Sequence, residues 1–288
     1  MASQLIECVP NFSEGRDRST VHAIEEAIGA VPGLLVLAVD LDTDHNRSVI
    51  TFAGPPDAVA EGALRGIAVA VQRIDLRRHS GVHPRIGAAD VVPFVPLEGA
   101  TMEDCKALAH ETGREVWQRL GVPVYFYEAS ASSPERVQLE NIRRGGFENP
   151  ALLPDLGGPA LHPSAGACVI GARKLLIAFN INLNSSDLSL ARAIARKVRA
   201  SSGGLPFVKA MGVSLASRKL VQVSMNLTDF EKTPPRRAFD VVQQEAASHG
   251  VSIESTEIVG MIPRAAADEI ALPNLTPARI LENRLPCL

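Results

Sequence analysis

The sequence predicts an α/β (α+β) protein built as two ferredoxin-like βαββαβ subdomains with a ligand cleft between them. Three observations carry this expectation. Apolar runs of strand length alternate with segments whose apolar residues recur at helical spacing. The order β-α-β-β-α-β appears in the first half and again in the second. Between the halves lies a stretch rich in Ser, Pro, Gly and Arg that has little periodicity, Ala131–Pro163.

Taken in order, Leu5–Pro10 reads as a strand. Asp17–Val31 is a helix with Val21, Ile24, Ile28 and Val31 on one face, ended by Pro32-Gly33. Leu34–Asp40 and Arg47–Ala53 are strands, and Pro55-Pro56 opens a helix with Val59, Ala63, Ile67 and Ala70 inward. Asp90–Leu97 is the next strand. Thr101-Met102-Glu103-Asp104 resembles a capping box, and its helix runs to about Leu120. Val122–Tyr127 is a further strand. The connection after it holds one helical fragment, Val137–Arg143, and its length predicts an ordered, functional loop.

The second half gives a strand at Lys174–Asn182 and a helix at Asp187–Ala200 behind Ser186 as cap, with Leu190, Ile194 and Val198 on one face. Strands follow at Phe207–Leu215 and Leu220–Leu227. A helix starts at Thr233-Pro234 and contains Phe239, Val242 and Ala246, and Val251–Val259 closes the unit. The subdomains are expected at residues 1–181 and 182–288, with the boundary near Asn180–Asn184.

Composition narrows the function. The chain has 288 residues, 46% hydrophobic and 21% charged, which suits a globular protein. The net charge of −3 and the 4% of aromatic residues give no basic, ring-bearing surface for nucleic acid. No run reaches the ~18 apolar residues of a membrane span, and the N-terminus has no signal-peptide pattern, so a cytoplasmic location is expected. The four cysteines, Cys8, Cys105, Cys168 and Cys287, are far apart and read as reduced thiols.

The densest chemistry lies in Arg77–Val95, R-R-H-S-G-V-H-P-R-I-G-A-A-D-V-V-P-F-V. His79 and His83 have the spacing of zinc ligands on a helix, but Gly81 and Pro84 oppose a helix there, so no metal is expected. One imidazole acting as general acid/base stands against a loop histidine bonded to backbone. Asp40, Asp42 and Asp44 lack the glycine and closing glutamate of a calcium loop. Asp40, at a strand end, is the best placed of them to take a proton or hold an imidazolium. The planar fork of Arg47 suits a carboxylate, either a ligand's or a neighbouring aspartate's.

Asn11–Arg16, N-F-S-E-G-R, precedes the first helix, where its polar groups either cap that helix or bind ligand. Leu156–Ala167 is rich in Gly and Pro and fits either a linker or a backbone surface for a flat ligand. Asn180, Asn182 and Asn226 sit in apolar strands, as core polar groups or as readers of a heterocycle.

Several stretches together resemble the formiminotransferase family. They are L-I-E-C-V-P-N-F-S-E-G-R (Leu5–Arg16), D-H-N-R-S-V-I-T-F-A-G (Asp44–Gly54), H-S-G-V-H-P-R-I-G-A-A-D-V-V-P-F-V-P (His79–Pro96), G-V-P-V-Y-F-Y (Gly121–Tyr127), G-A-R-K-L-L-I-A-F-N-I-N-L (Gly171–Leu183) and Q-V-S-M-N-L-T-D-F-E (Gln222–Glu231). The closing I-L-E-N-R-L fits as well. The resemblance implies transfer of the formimino group of N-formimino-L-glutamate to N5 of tetrahydrofolate as co-substrate, in histidine breakdown. It also implies a folate tunnel between two subdomains, a homodimer and no metal.

It further implies His83 as the catalytic acid/base, Asp40 as its acidic partner, and Gly157, Gly158, Pro159, Ala160, Leu161, His162, Pro163, Ser164, Ala165 and Gly166 as the folate-contacting loop. Both ligands bear carboxylates, which gives Arg47, Arg78 and Arg85 a purpose beside Asn11. Many members have tryptophan where this chain has Ala165, so a pterin-stacking surface is expected to be weaker or supplied elsewhere. The cyclodeaminase domain of animal members is not in this sequence, so ring closure of the product is assigned to a separate cyclodeaminase. The alternatives are formyl transfer between 5-formyltetrahydrofolate and glutamate, and a non-enzymatic ligand-binding module.

Overall fold

The computed structural model describes residues 4–270, 272 and 275–285. Cys287 lies outside the described residues. The chain divides into two compact units, one ending at Lys174 and the other beginning at Leu175. The expected division at 181/182 would cut a strand, Ile177–Leu183, so the first unit ends earlier than the sequence pattern placed it.

The first unit runs β1 (Ile6–Cys8), β2 (Asn11–Phe12), α1 (Arg18–Gly29), β3 (Leu35–Asp42), β4 (Arg47–Gly54), α2 (Pro56–Arg73), β5 (Ala89–Pro96), α3 (Met102–Leu120), β6 (Val124–Glu128), α4 (Leu139–Ile142) and β7 (Cys168–Ala172). β1 and β2 are one strand position broken in the middle. Both pair antiparallel with β4 on one side and β5 on the other. Pro10 interrupts them, because it has no N–H to give the ladder. β3 pairs with β4, which completes a ferredoxin-like four-strand order. β7 and β6 then extend the sheet in parallel beyond β5.

β7 was not expected. Its five residues are all buried and show no polar alternation, as a parallel strand covered on both faces should. Such a short apolar run carries no period to read. The long connection between β6 and β7 is ordered, as expected. Asp155 accepts from the Phe126 N–H at 2.8 Å and pairs with Arg136 at 3.1 Å, and the Tyr125 hydroxyl donates to Leu152 O at 2.6 Å.

One face of this sheet carries Ile6, Cys8, Phe12, Ile50, Phe52, Phe94 and Ile170 and packs in a core with residues of α1, α2 and α3. The three helices start as the sequence indicates. Asp17 caps α1 through Ser19 N, Pro56 opens α2, and Thr101 and Asp104 close a capping box on α3. The opposite face holds Val91, Tyr125, Tyr127 and Val169 in a smaller core with Ile142, and also the polar side chains taken up below.

The second unit runs β8 (Ile177–Leu183), α5 (Leu188–Val198), β9 (Val208–Leu215), β10 (Leu220–Leu227), α6 (Pro235–Ser248), β11 (Ile253–Val259) and α7 (Arg264–Ile270). Its sheet order is β11-β8-β10-β9, all antiparallel, the ferredoxin-like arrangement again. Asp187, not Ser186, caps α5, with its carboxylate accepting from Ser189 N at 2.8 Å. An aspartate beside a serine satisfies the open N–H groups better because its oxygens are charged. No described helix is long and apolar enough to cross a membrane.

Candidate functional site

The site is built on the sheet face of the first unit that points away from the long helices. Asn11 faces Val49 and Val91 in the ladder, and Arg47 stands two residues from Val49 on the same face. Between Phe12↔Ala89 and Asn11↔Val91 the register shifts, leaving Asp90 as an extra residue on β5. A bulge of this kind re-aims a side chain. Here Asp90 meets Arg47 Nη1 at 2.8 Å through Oδ2.

Asp90 is wholly buried and organises what surrounds it. Oδ2 also accepts from Arg143 Nη2, and Oδ1 accepts the backbone N–H groups of Ile86 at 2.7 Å and Gly87 at 3.2 Å. Burial opposes its charge, but Arg143, Arg47 and the Ile86 N–H outweigh that and hold the carboxyl well below the usual range. Burial also brings the Arg47 guanidinium down to about 10, against the pull of Asp90, so it stays charged at neutral pH. Arg47 Nε donates to Asn11 Oδ1 at 3.0 Å, and Asn11 Nδ2 donates to Val9 O at 2.9 Å. Asn11 thereby orients Arg47.

His83 lies beside this cluster and is half-buried. Nδ1 lies 2.7 Å from Pro84 O. A carbonyl can only accept, so the proton sits on Nδ1 and Nε2 keeps its lone pair. Enclosure by protein, then the charges of Arg47 and Arg143, push its pKa well below the ordinary histidine value. Asp90 and the Pro84 carbonyl oppose them. The ring is a neutral base at pH 7, more strongly so than an unperturbed histidine. Asp90 is the carboxylate whose charge acts on the ring. Asp40 is half-buried on β3, paired with Val49 and so on the Arg47 face, one row away. The His45 ring stands 5.9 Å from that of His83, centroid to centroid.

His79 and Arg85 hold the loop in place. His79 Nε2 bonds Asn46 O at 2.9 Å and Nδ1 accepts from Arg85 Nε at 2.8 Å, so both ring nitrogens are taken. Among the described residues no group of three or more His, Cys, Asp or Glu is placed to hold an ion. Arg85 also donates to Leu76 O, His79 O and the carboxylate of Glu148, so its fork serves the fold. Arg78 is exposed in the turn Leu76–Arg78, its side chain without a hydrogen bond among the described residues.

Asn46, at φ 47°, ties three segments together. Its side chain accepts from Gly15 N and donates to Ser80 O, both at 3.0 Å, and its carbonyl meets His79. Gly81 lets the His83 loop lie this close, since a Cβ there would stand 2.3 Å from His45 O.

The loop Gly157–Gly166 has two parts. Gly157, Gly158, Pro159 and Ala160 are exposed, whereas His162 and Gly166 exchange backbone hydrogen bonds at 2.8 and 2.9 Å. His162 Nδ1 accepts from Ala165 N at 3.0 Å, and Ser164 O accepts from Leu76 N at 2.8 Å. Leu161 is half-buried, Pro163 is exposed, and Ala165 is 1% exposed in the main core. Position 165 therefore offers no stacking surface in this chain.

In the second unit Asn182 donates to Ser255 and Glu257, each at 2.9 Å, and accepts from Gln222 at 2.9 Å. It is a satisfied polar group. Asn226 is exposed.

The sequence reading missed Asp90, Arg143, Asn46 and Glu7. Asp90 stands in the same motif as His83, and its position at the start of an apolar strand was the available signal. Arg143 is one of several arginines in an aperiodic segment, and nothing marks it. Glu7 lies within an otherwise apolar strand, which is itself a signal. Burial raises its carboxyl to about 7 against the pull of Arg173.

The comparisons with known proteins come down on one family. Residues 5–173 match the model described as "Formiminotransferase domain, N-terminal subdomain", and residues 178–271 match "Formiminotransferase domain". The chain is 44% identical to a glutamate formimidoyltransferase of Thermoplasma acidophilum, over 98% of this chain and 97% of that one. It is 38% identical to a glutamate formimidoyltransferase of Streptococcus pyogenes serotype M1, over 93% and 92%. A formimidoyltransferase-cyclodeaminase of Mus musculus is 42% identical over 92% of this chain and 51% of its own length.

Two stability outcomes follow from the buried charges. Asp90→Asn strands two guanidiniums, and urea unfolding at pH 7 should show a loss of about 3–5 kcal/mol. Glu7 has the opposite sign. Its folded pKa of about 7 exceeds the ordinary 4.5 of a glutamate, so the wild type loses stability as pH rises between the two. Glu7→Gln should therefore be more stable than wild type above pH 7, by up to about 3 kcal/mol, with the gap closing toward pH 4. A gap that does not change with pH would refute the assignment.

Proposed function

The chain belongs to the formiminotransferase family, and on that premise we propose that it carries the formimino group of N-formimino-L-glutamate to N5 of tetrahydrofolate and releases L-glutamate. One observation supports the chemical part. His83 is a neutral base with its free nitrogen fixed, set beside a buried cluster of two guanidiniums and one carboxylate. That cluster carries a net charge of +1 and favours an anionic ligand.

The N5 amine attacks the formimino carbon, forming the new C–N bond and a tetrahedral intermediate. His83 Nε2 takes the N5 proton. The same nitrogen then delivers that proton to the departing glutamate nitrogen as the old C–N bond breaks, and the base is regenerated. Such transfers contribute roughly 10²–10⁴-fold, and holding two substrates together contributes more. A carboxylate arriving at Arg47 and Arg143 would offset their charges and raise His83 toward its ordinary pKa. Proton pickup then becomes easier once substrate is bound.

In this reading Arg143 and Arg47 receive the amino-acid carboxylate. Arg143 Nε supports this, being buried without a partner. Asp40 takes the polar end of the amidine, and exposed Arg78 meets the acidic tail of folate. The open part of the loop, Gly157–Ala160, covers the pterin. Asn11 and Arg85 act by holding Arg47 and the His83 loop. A homodimer in the cytoplasm, with a separate cyclodeaminase consuming the product, completes the proposal. The name of the mouse relative, which joins both activities, supports that last point.

Purified protein should turn over formiminoglutamate with tetrahydrofolate, and formylglutamate or 5-formyltetrahydrofolate poorly. The reverse preference would convict the formyl reading. His83→Ala should lower kcat about 10²–10⁴-fold and leave the Kd for tetrahydrofolate within about twofold. Undiminished turnover would remove His83 from the mechanism. The acid limb of kcat/KM should lie below the ~6.5 of a free histidine. Arg143→Gln should move that limb upward, because one positive charge facing the ring is gone.

A further inference from the structure

The sheet face that carries Asn11 and Arg47 also carries a buried carboxylate that the transfer chemistry leaves without a task. Glu7 sits at the centre of β1, opposite Ala53 on β4 and Val95 on β5. Asn11 faces Val49 and Val91 on the same two strands. Each pair is four residues apart, so Glu7 and Asn11 share a face. Glu7 is 3% exposed, and its carboxylate accepts no hydrogen bond among the described residues. The opposing charge it feels is that of Arg173. Arg173 follows β7, with its N–H on Phe94 O and its Nη1 donating to Lys174 O at 2.9 Å.

Thr51 is a diagonal neighbour of Glu7 on β4. It is 0% exposed, and its hydroxyl also lacks a partner. Buried polar groups are almost always bonded. Two open ones on one patch call for a partner that the chain does not contain.

We propose that Glu7, Thr51 and Arg173 form a subsite for the aminopyrimidinone edge of the pterin ring. That edge presents a ring N–H beside an exocyclic amino N–H, two parallel donors that match the two oxygens of a carboxylate. The ring carbonyl next to them is an acceptor for the Arg173 guanidinium. The Thr51 hydroxyl meets the remaining amino N–H or the adjacent ring nitrogen. Four residues of strand, ~13 Å, separate the rows of Glu7 and Asn11. One bicyclic ring held by long side chains at both ends joins them, with N5 toward His83. At neutral pH both forms of Glu7 are populated, and a pair of N–H donors selects the ionised one. The subsite rests on the tetrahydrofolate reading above.

The test uses the full chain and two probes, tetrahydrofolate and its analogue lacking the 2-amino group. Wild type should bind tetrahydrofolate about 10- to 100-fold more tightly than the analogue, as expected for hydrogen bonds to a charged group. Glu7→Gln should lose that discrimination by weakening tetrahydrofolate alone. The KM for formiminoglutamate should stay within about twofold. Thr51→Val should give a smaller loss in the same direction. Equal wild-type affinity for the two probes, which needs no variant, overturns the subsite. So does a Glu7→Gln protein that binds tetrahydrofolate as wild type does, the result if a trapped water satisfies Glu7. In both cases wild-type turnover continues and the transfer reading stands. Wild type that neither binds nor uses tetrahydrofolate overturns the reading and the subsite together.

Discussion

A single buried carboxylate holds the site together. Asp90 accepts from two guanidiniums and two backbone N–H groups, so all of its bonding capacity is used inside the protein. Each donor brings a different piece of chain. Arg47 comes from β4, Arg143 from the end of α4, and Ile86 and Gly87 from the loop that carries His83. Two cations this deeply buried would repel each other without an anion between them. The bulge on β5 turns Asp90 into that position, and a regular strand would aim it elsewhere.

The charge balance of this arrangement then sets the chemistry. Burial first, and then the excess of two positive groups over one negative, lowers the His83 pKa, and that excess also draws anions. Each effect serves the other, since the anion that binds also restores the basicity of the ring. The hydrogen bond from Nδ1 to Pro84 O fixes which nitrogen does the work. Asn46 and Gly81 set where that loop rests. The general base is thus specified by backbone contacts as much as by its own side chain.

Much of this could be read from the sequence, for physical reasons. The two βαββαβ units follow from hydrophobic period, and the starts of α1, α2 and α3 follow from local capping. His83 stands out because a loop so rich in cations needs an anion. Long-range pairings were another matter. Arg143 meets Asp90 across 53 residues of sequence, and no local pattern records that. Arg85 bonds His79, Leu76 O and Glu148, and composition cannot tell a cation bonded to its own fold from one awaiting a substrate. Enclosure and two arginines move the His83 pKa well below its ordinary value, which the local sequence does not record. β7 was missed because a strand buried on both faces shows no alternation.

The two units share a topology and differ in what their helix-free faces do with polar groups. In the second unit Asn182, Gln222, Ser255, Glu257 and Arg218 bond one another across three strands and the turn before β10. A network of this kind ties the three strands together. In the first unit Glu7, Thr51 and Arg143 Nε stay open on the corresponding kind of face. Open buried groups lower stability, and a fold retains them where binding repays the loss. Satisfaction of polar groups, more than their number, therefore separates the scaffold face from the reactive one.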